Sequence, residues 1–146
     1  MAGDRGAVTA AWGFTAVTVL WAVALPLAAA QVLLPSWGGV VIDRIGHVIC
    51  HQRPERSFHW AQHAWPVCAR CTGIYSGAAI GVLLALWLSL SDVVRTPVRV
   101  RRYLLVATAP ALASLLFEWT TGIVPSNVVR AATGLVAGGV AALLLA

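Results

Sequence analysis

The chain has 146 residues, enough for one domain, with 60% hydrophobic residues, 10% charged residues and a mean hydropathy of +0.83. A soluble domain carries about 25% charged residues, so this composition excludes a water-solvated surface and selects a bilayer as solvent. The net charge of +5 comes from arginines alone, since the chain has no lysine. They flank apolar stretches, which fits topology signals and anionic headgroups and not nucleic acid.

A helix that crosses the hydrocarbon core needs about 20 mostly apolar residues. Residues 12–34, 72–90, 103–121 and 128–146 meet that need. The expected fold is therefore an all-α membrane protein, a single polytopic domain of about four transmembrane helices. The first stretch contains Pro26 and ends at Pro35. Arg5, the apolar run and Ala28-Ala29-Ala30 also resemble a signal peptide with its cleavage site, though the run is long for one. That rival reading leaves three spans.

Residues 35–71 form a Cys/His-rich loop between the first and second spans. Within it, residues 40–50 read as a short amphipathic helix lying in the interface. Val41, Ile42, Ile45, Val48 and Ile49 share one side, and Asp43, His47 and Cys50 share the other. All three cysteines and all four histidines of the chain lie between His47 and Cys71.

Cys68 and Cys71 form a C-x-x-C pair, and Cys50 with His51 supplies a second pair 18 residues earlier. Two thiolates three residues apart can hold one ion from a single turn, and a remote pair can complete a tetrahedron. The expected ligands are Cys50, His51, Cys68 and Cys71. His47, Asp43 or a water is the alternative fourth, and His59 and His63 are bystanders. Thiolates with an imidazole suit zinc first, then iron or copper. The competing reading of Cys68 and Cys71 is a redox disulfide.

The second span carries Gly73, Gly77 and Gly81 at four-residue spacing, and the fourth carries Gly134 and Gly138. Small residues at this spacing let helices approach closely, within the bundle or between copies in an oligomer. Residues 91–102 between the second and third spans hold Arg95, Arg99, Arg101 and Arg102. The positive-inside rule makes that connection and the N-terminus cytoplasmic. Arg44, Arg53, Arg56 and Arg70 in the other connection weaken the bias.

The third span contains Pro110 and ends near Glu118; the fourth begins near Asn127 and Arg130. With four spans, these residues and the Cys/His loop share one side of the membrane. A lone charge in the bilayer costs about 2.5–3.5 kcal/mol on insertion scales, so Glu118 and Arg130 are expected to pair. They are candidates for a proton acceptor and an anion clamp beside the metal, or for a purely structural ion pair. Arg53, Glu55, Arg56 and Asn127 could line the same site.

The blocks Cys50-His51-Gln52, Pro54 to Phe58 and Pro66-Val67-Cys68-Ala69-Arg70-Cys71-Thr72-Gly73-Ile74-Tyr75 resemble the bacterial membrane family called domain of unknown function 2085. The resemblance covers about residues 50–138. Pro110, Asn127, Arg130 and Thr133-Gly134 follow the family's later pattern, whereas Glu118-Trp119-Thr120-Thr121 departs from its usual Asp-Gly-x-Thr-Gln. The resemblance implies a multi-pass protein of the bacterial cytoplasmic membrane and supplies no reaction.

No phosphate loop, nucleotide fingerprint, serine nucleophile motif or nucleic-acid module occurs. Pro66 to Cys71 matches half of the zinc deaminase signature, but the H-x-E half is missing. The expectation is a membrane metal site, in an enzyme acting on a lipid or other amphiphile. The alternatives are a metal-handling protein, a structural-zinc subunit, or a thiol redox protein.

Overall fold

The computed structural model describes residues 2–30, 36–60, 63–88 and 97–145. Five α-helices and one hairpin follow in chain order: α1 (Ala2–Ala30), α2 (Ser36–Ile49), β1 (Ser57–Trp60), β2 (His63–Cys68), α3 (Ala69–Leu88), α4 (Pro97–Thr121) and α5 (Asn127–Leu145). A 3₁₀ turn, Pro54–Arg56, precedes β1. The end of the first expected span, the last two residues of the second and residues 91–96 of the 91–102 connection, Arg95 among them, lie outside the described residues.

Helices dominate because lipid offers no partner to a free backbone N–H or C=O. Ala69–Trp87, Val98–Thr121 and Asn127–Leu144 are each long and apolar enough to cross a membrane. α1 carries a shorter apolar stretch, Trp12–Ala28. Pro26 and Pro110 sit inside continuous helices. The third span was expected to start at residue 103, but its helix starts at Pro97. Arg99, Arg101 and Arg102 are therefore helical and not loop residues.

α3 and α5 form the centre of the bundle. A Cβ on Gly73 would meet the carbonyl of Ala131, one on Gly77 that of Leu135, and one on Gly81 that of Gly139. In return, Gly134 lies on the Arg70 carbonyl and Gly138 on the Ile74 carbonyl. The two glycine ridges are thus occupied by each other within the chain, at backbone contact distance. α4 packs on α5, and α1 packs on α3 and β2. Gly77→Ala or Gly138→Ala should force the helices apart and cost about 1–3 kcal/mol of stability. Gly13 of α1 has open space around it. Gly13→Ala should therefore be neutral or slightly stabilising. Thermal unfolding in a neutral detergent checks both.

Outward faces are apolar, as lipid requires: Leu83, Trp87, Val106, Leu116, Val128 and Val136 are all exposed. α2 also shows Val41, Ile45, Val48 and Ile49 outward. Its Gly46 is buried against the Pro66 carbonyl. Apart from Ile42, which packs inward on Cys50 and Val67, the apolar side of α2 is open, as an interfacial helix needs.

The connection from α2 to α3 departs from the expectation of an irregular loop in an all-α chain. β1 and β2 pair antiparallel, with Ser57 opposite Cys68, His59 opposite Ala64 and Trp60 opposite His63. The register is irregular between Ser57 and His59. Phe58 and Trp65 meet edge-on, with centroids 5.6 Å apart, a contact that favours a hairpin. Pro66 within β2 and the lack of a glycine turn hid the pair from pattern reading. The hairpin matters because β2 delivers Cys68 directly onto the first residue of α3.

Candidate metal centre and arginine cluster

Three elements each contribute one thiol. Cys50 ends the turn after α2, where its amide donates to the Gly46 carbonyl at 2.9 Å. Cys68 ends β2, and Cys71 lies in the first turn of α3. The three Sγ atoms all lie within 4.8 Å of one another. A tetrahedral ion with bonds of about 2.3 Å spaces its sulfurs about 3.8 Å apart, so a small inward movement closes the set. All three thiols are free, and the Cys68 amide donates to Cys50 Sγ at 3.2 Å.

The trio is walled by apolar groups. Cys50 clusters with Leu25 of α1 and Val67 of β2. Trp21, Ile42 and Tyr75 pack around them. Trp21 meets Tyr75 edge-on, with centroids 6.1 Å apart and planes at 83°. The indole Nε1 of Trp21 is buried without a hydrogen-bond partner among the described residues.

Cys68 is held below the ordinary thiol range. The Cys71 thiol donating to it is the largest cause that pulls Cys68 down to about 5. Burial opposes that shift, while the Cys71 amide, the Cys50 thiol and the charge of Arg130 assist it. A thiolate is the species that binds metal.

The histidines do not join the thiols. His51, expected as the fourth ligand, is exposed and lies outside the only ligand group found among the described residues. The chain turns sharply at Gln52, whose φ of 45° is left-handed, and this turn puts His51 on the surface. His47 and Asp43, the alternatives, are engaged by Gln52 instead. His47 Nδ1 lies 3.1 Å from Gln52 Oε1. Gln52 Nε2 donates to the Asp43 carbonyl at 2.9 Å, to Asp43 Oδ1 at 3.2 Å and to the Pro66 carbonyl at 2.7 Å. One side chain thus ties α2 to β2 and sets Cys50 against Cys68. His59 and His63 are exposed on the hairpin.

A second cluster stands at the same end of the bundle. Arg70 lies in the first turn of α3, Glu118 in the last turn of α4 and Arg130 in the first turn of α5. Glu118 was expected to pair with Arg130. Its ion pairs are instead with Arg56 Nη2 at 2.7 Å and Arg70 Nη2 at 3.8 Å. The hairpin makes the difference, since the 3₁₀ turn leading into it brings Arg56 over the end of α4. Neither Glu118 oxygen receives an aligned hydrogen bond, so the attraction is Coulombic. Arg70 Nη2 also donates to Ser114 Oγ at 3.2 Å.

Asn127 Nδ2 donates to the carbonyl of buried Ser57 at 2.9 Å and ties α5 to β1. Arg53 and Glu55 are exposed and make no ion pair among the described residues. Sequence reasoning gave no role to Gln52, Arg70, Ser57 or Ser114. Gln52 and Arg70 stand inside the two cysteine blocks, and that position was the available signal. The two serines carry none.

The model of a family described as predicted membrane proteins (DUF2085) matches residues 50–144. An uncharacterized protein of Methanocaldococcus jannaschii is 35% identical over 95 residues, covering 62% of this chain and 57% of its own length. An uncharacterized protein of Methanothermobacter thermautotrophicus is 38% identical over 90 residues, covering 62% of this chain and 78% of its own length. Both relatives are archaeal, so the likeness reaches beyond the bacterial membrane expected from the motifs. No solved structure matches the chain.

Proposed function

The chain belongs to this family of predicted membrane proteins (DUF2085), and from that premise we propose that it is a multi-pass membrane metalloprotein whose Cys50, Cys68 and Cys71 hold a divalent ion, zinc first. The observation that carries the reading is the convergence of three free thiols, from the turn after α2, from β2 and from α3, within 4.8 Å. A two-cysteine redox device needs no third thiol, and a buried one adds nothing to it. Soft thiolates select zinc, with iron and copper next.

In this reading α1 is the first of four spans and the N-terminus is cytoplasmic. Arg56 and Arg70 are taken up by Glu118, so they do not count as topology signals. Arg5, Arg99, Arg101 and Arg102 then dominate the bias, and the metal centre faces the outer interface.

With three protein ligands a tetrahedral ion keeps one position for water or a substrate atom, the arrangement of catalytic and not structural zinc. The centre lies at the membrane face, beside buried charges, which fits an enzyme acting on a lipid or other amphiphile. Glu118 was a candidate proton acceptor. Its carboxylate faces two guanidiniums, so in this reading it orders Arg56 and Arg70.

The second reading, a thiol redox protein, is favoured by the lowered Cys68 thiol at the start of a helix. Elemental analysis of protein purified in neutral detergent separates the two. About one ion per chain is expected, removed by a strong chelator and restored by zinc. Metal-free protein with a Cys68–Cys71 disulfide in cells would overturn the metal reading.

A further inference from the structure

We infer that Arg130, with Arg56 and Arg70, forms a binding site for a phosphate group at the membrane face, next to the thiol centre. The inference takes its chemical meaning from the metal reading, because the phosphate is then the substrate group presented to the ion. Its existence rests on the arginines alone.

Arg130 is only 2% exposed. Its Nε and Nη1 are buried and have no hydrogen-bond partner among the described residues. A buried guanidinium left with unused donors is costly unless a ligand satisfies them. Arg56 Nε and Arg70 Nε are unsatisfied in the same way. Arg130 feels the charges of Glu118, Arg70 and Arg56, and Arg70 lies between Cys68 and Cys71 in the chain, so the cluster and the thiols stand at one end of the bundle.

The charges do not balance within the protein. Glu118 is the one carboxylate set against three guanidiniums, which leaves two positive charges. A divalent ion on three thiolates carries one negative charge. One positive charge remains, and a phosphate monoanion or diester would neutralise it. Guanidinium forks match the tetrahedral oxygens of phosphate better than any point charge does.

Backbone geometry adds to the attraction. α3 and α5 both begin at this face, so two helix N-termini direct their positive ends toward the anion. The cluster draws on three spanning helices and the 3₁₀ turn, which makes it a built site and not a surface patch. Two sources offer this chemistry at a membrane face: free inorganic phosphate and a lipid headgroup.

The test uses full-length protein in neutral detergent, with metal content measured in every sample. Thermal unfolding is followed against inorganic phosphate, with chloride at equal ionic strength as the control. A second arm adds short-chain phosphatidic acid, with the matching diacylglycerol as the control. Phosphate or phosphatidic acid should raise the unfolding temperature of the wild type saturably. Arg130→Gln should weaken the apparent affinity about tenfold to a hundredfold while its metal content stays equal. Arg56→Gln is the less buried second variant, and it should weaken binding in the same direction.

A response to phosphatidic acid alone assigns the site to a lipid headgroup, and an equal response to inorganic phosphate assigns it to the free ion. No response in either arm from metal-loaded wild type overturns the inference and leaves the metal reading standing. Equal affinity in wild type and both variants also overturns it. Loss of metal from Arg130→Gln with no phosphate response in the wild type would make Arg130 a counter-charge for the thiolates instead.

Discussion

Serine at Cys50, Cys68 or Cys71 should leave the purified protein without a bound ion. Each thiolate is one of three protein ligands, and a hydroxyl is a poor replacement at neutral pH. Affinity should fall more than about a thousandfold, roughly a third of the binding free energy of a zinc site. The fold should survive this loss, because the glycine contacts between α3 and α5 continue through Gly77, Gly81 and Gly138, beyond the thiols. Gln52→Ala supplies the graded version of the same experiment. It removes no ligand, yet it cuts the bonds from Gln52 to Asp43 and Pro66 that hold α2 against β2. Loss of a group that orients a ligand commonly costs 10–100-fold in metal affinity, and that range is expected here. Titration with a competing chelator measures both effects. A Gln52→Ala protein with wild-type affinity would mean that β2 and α3 alone position Cys50.

The membrane architecture was legible because it depends on composition and length; the second and fourth spans were placed to within a few residues of their helices, whereas α1 and α4 both start earlier than expected, at Ala2 and Pro97. The cysteine cluster was legible for a different reason. A thiol has few uses, and three in one short segment restrict the options. The histidines misled because adjacency in sequence was read as adjacency in space. His51 follows Cys50, but the left-handed turn at Gln52 sends its side chain outward. The partner of Glu118 was misassigned because the choice depended on an unseen hairpin. Depth along the helices correctly put Glu118 and Arg130 at one level, and helix geometry says nothing about a loop that folds over them. Arg56 reaches Glu118 only because the 3₁₀ turn and β1 carry it there. Pairing between distant polar groups is decided by tertiary placement, and no local pattern encodes it.

That placement makes Glu118 the residue whose neutralisation should cost most stability. Its side chain is only 4% exposed and faces Arg56 and Arg70. Glu118→Gln keeps the shape and removes the only anion of the cluster. Removing one partner of a buried ion pair costs about 3–5 kcal/mol, since the remaining charges stay buried without compensation. The unfolding temperature should fall by on the order of 10 °C. Metal content should stay unchanged, because Glu118 is not among the clustered thiols; a loss would give it a ligand or folding role. Arg56→Gln in the Glu118→Gln background should recover part of the loss, which a purely steric effect of the substitution would not allow. Glu118→Asp should fall between, since its carboxylate is one methylene short of Arg56. If phosphate occupies the arginine cluster, it should stabilise Glu118→Gln more than the wild type. The vacated negative charge is the one that a bound anion can replace.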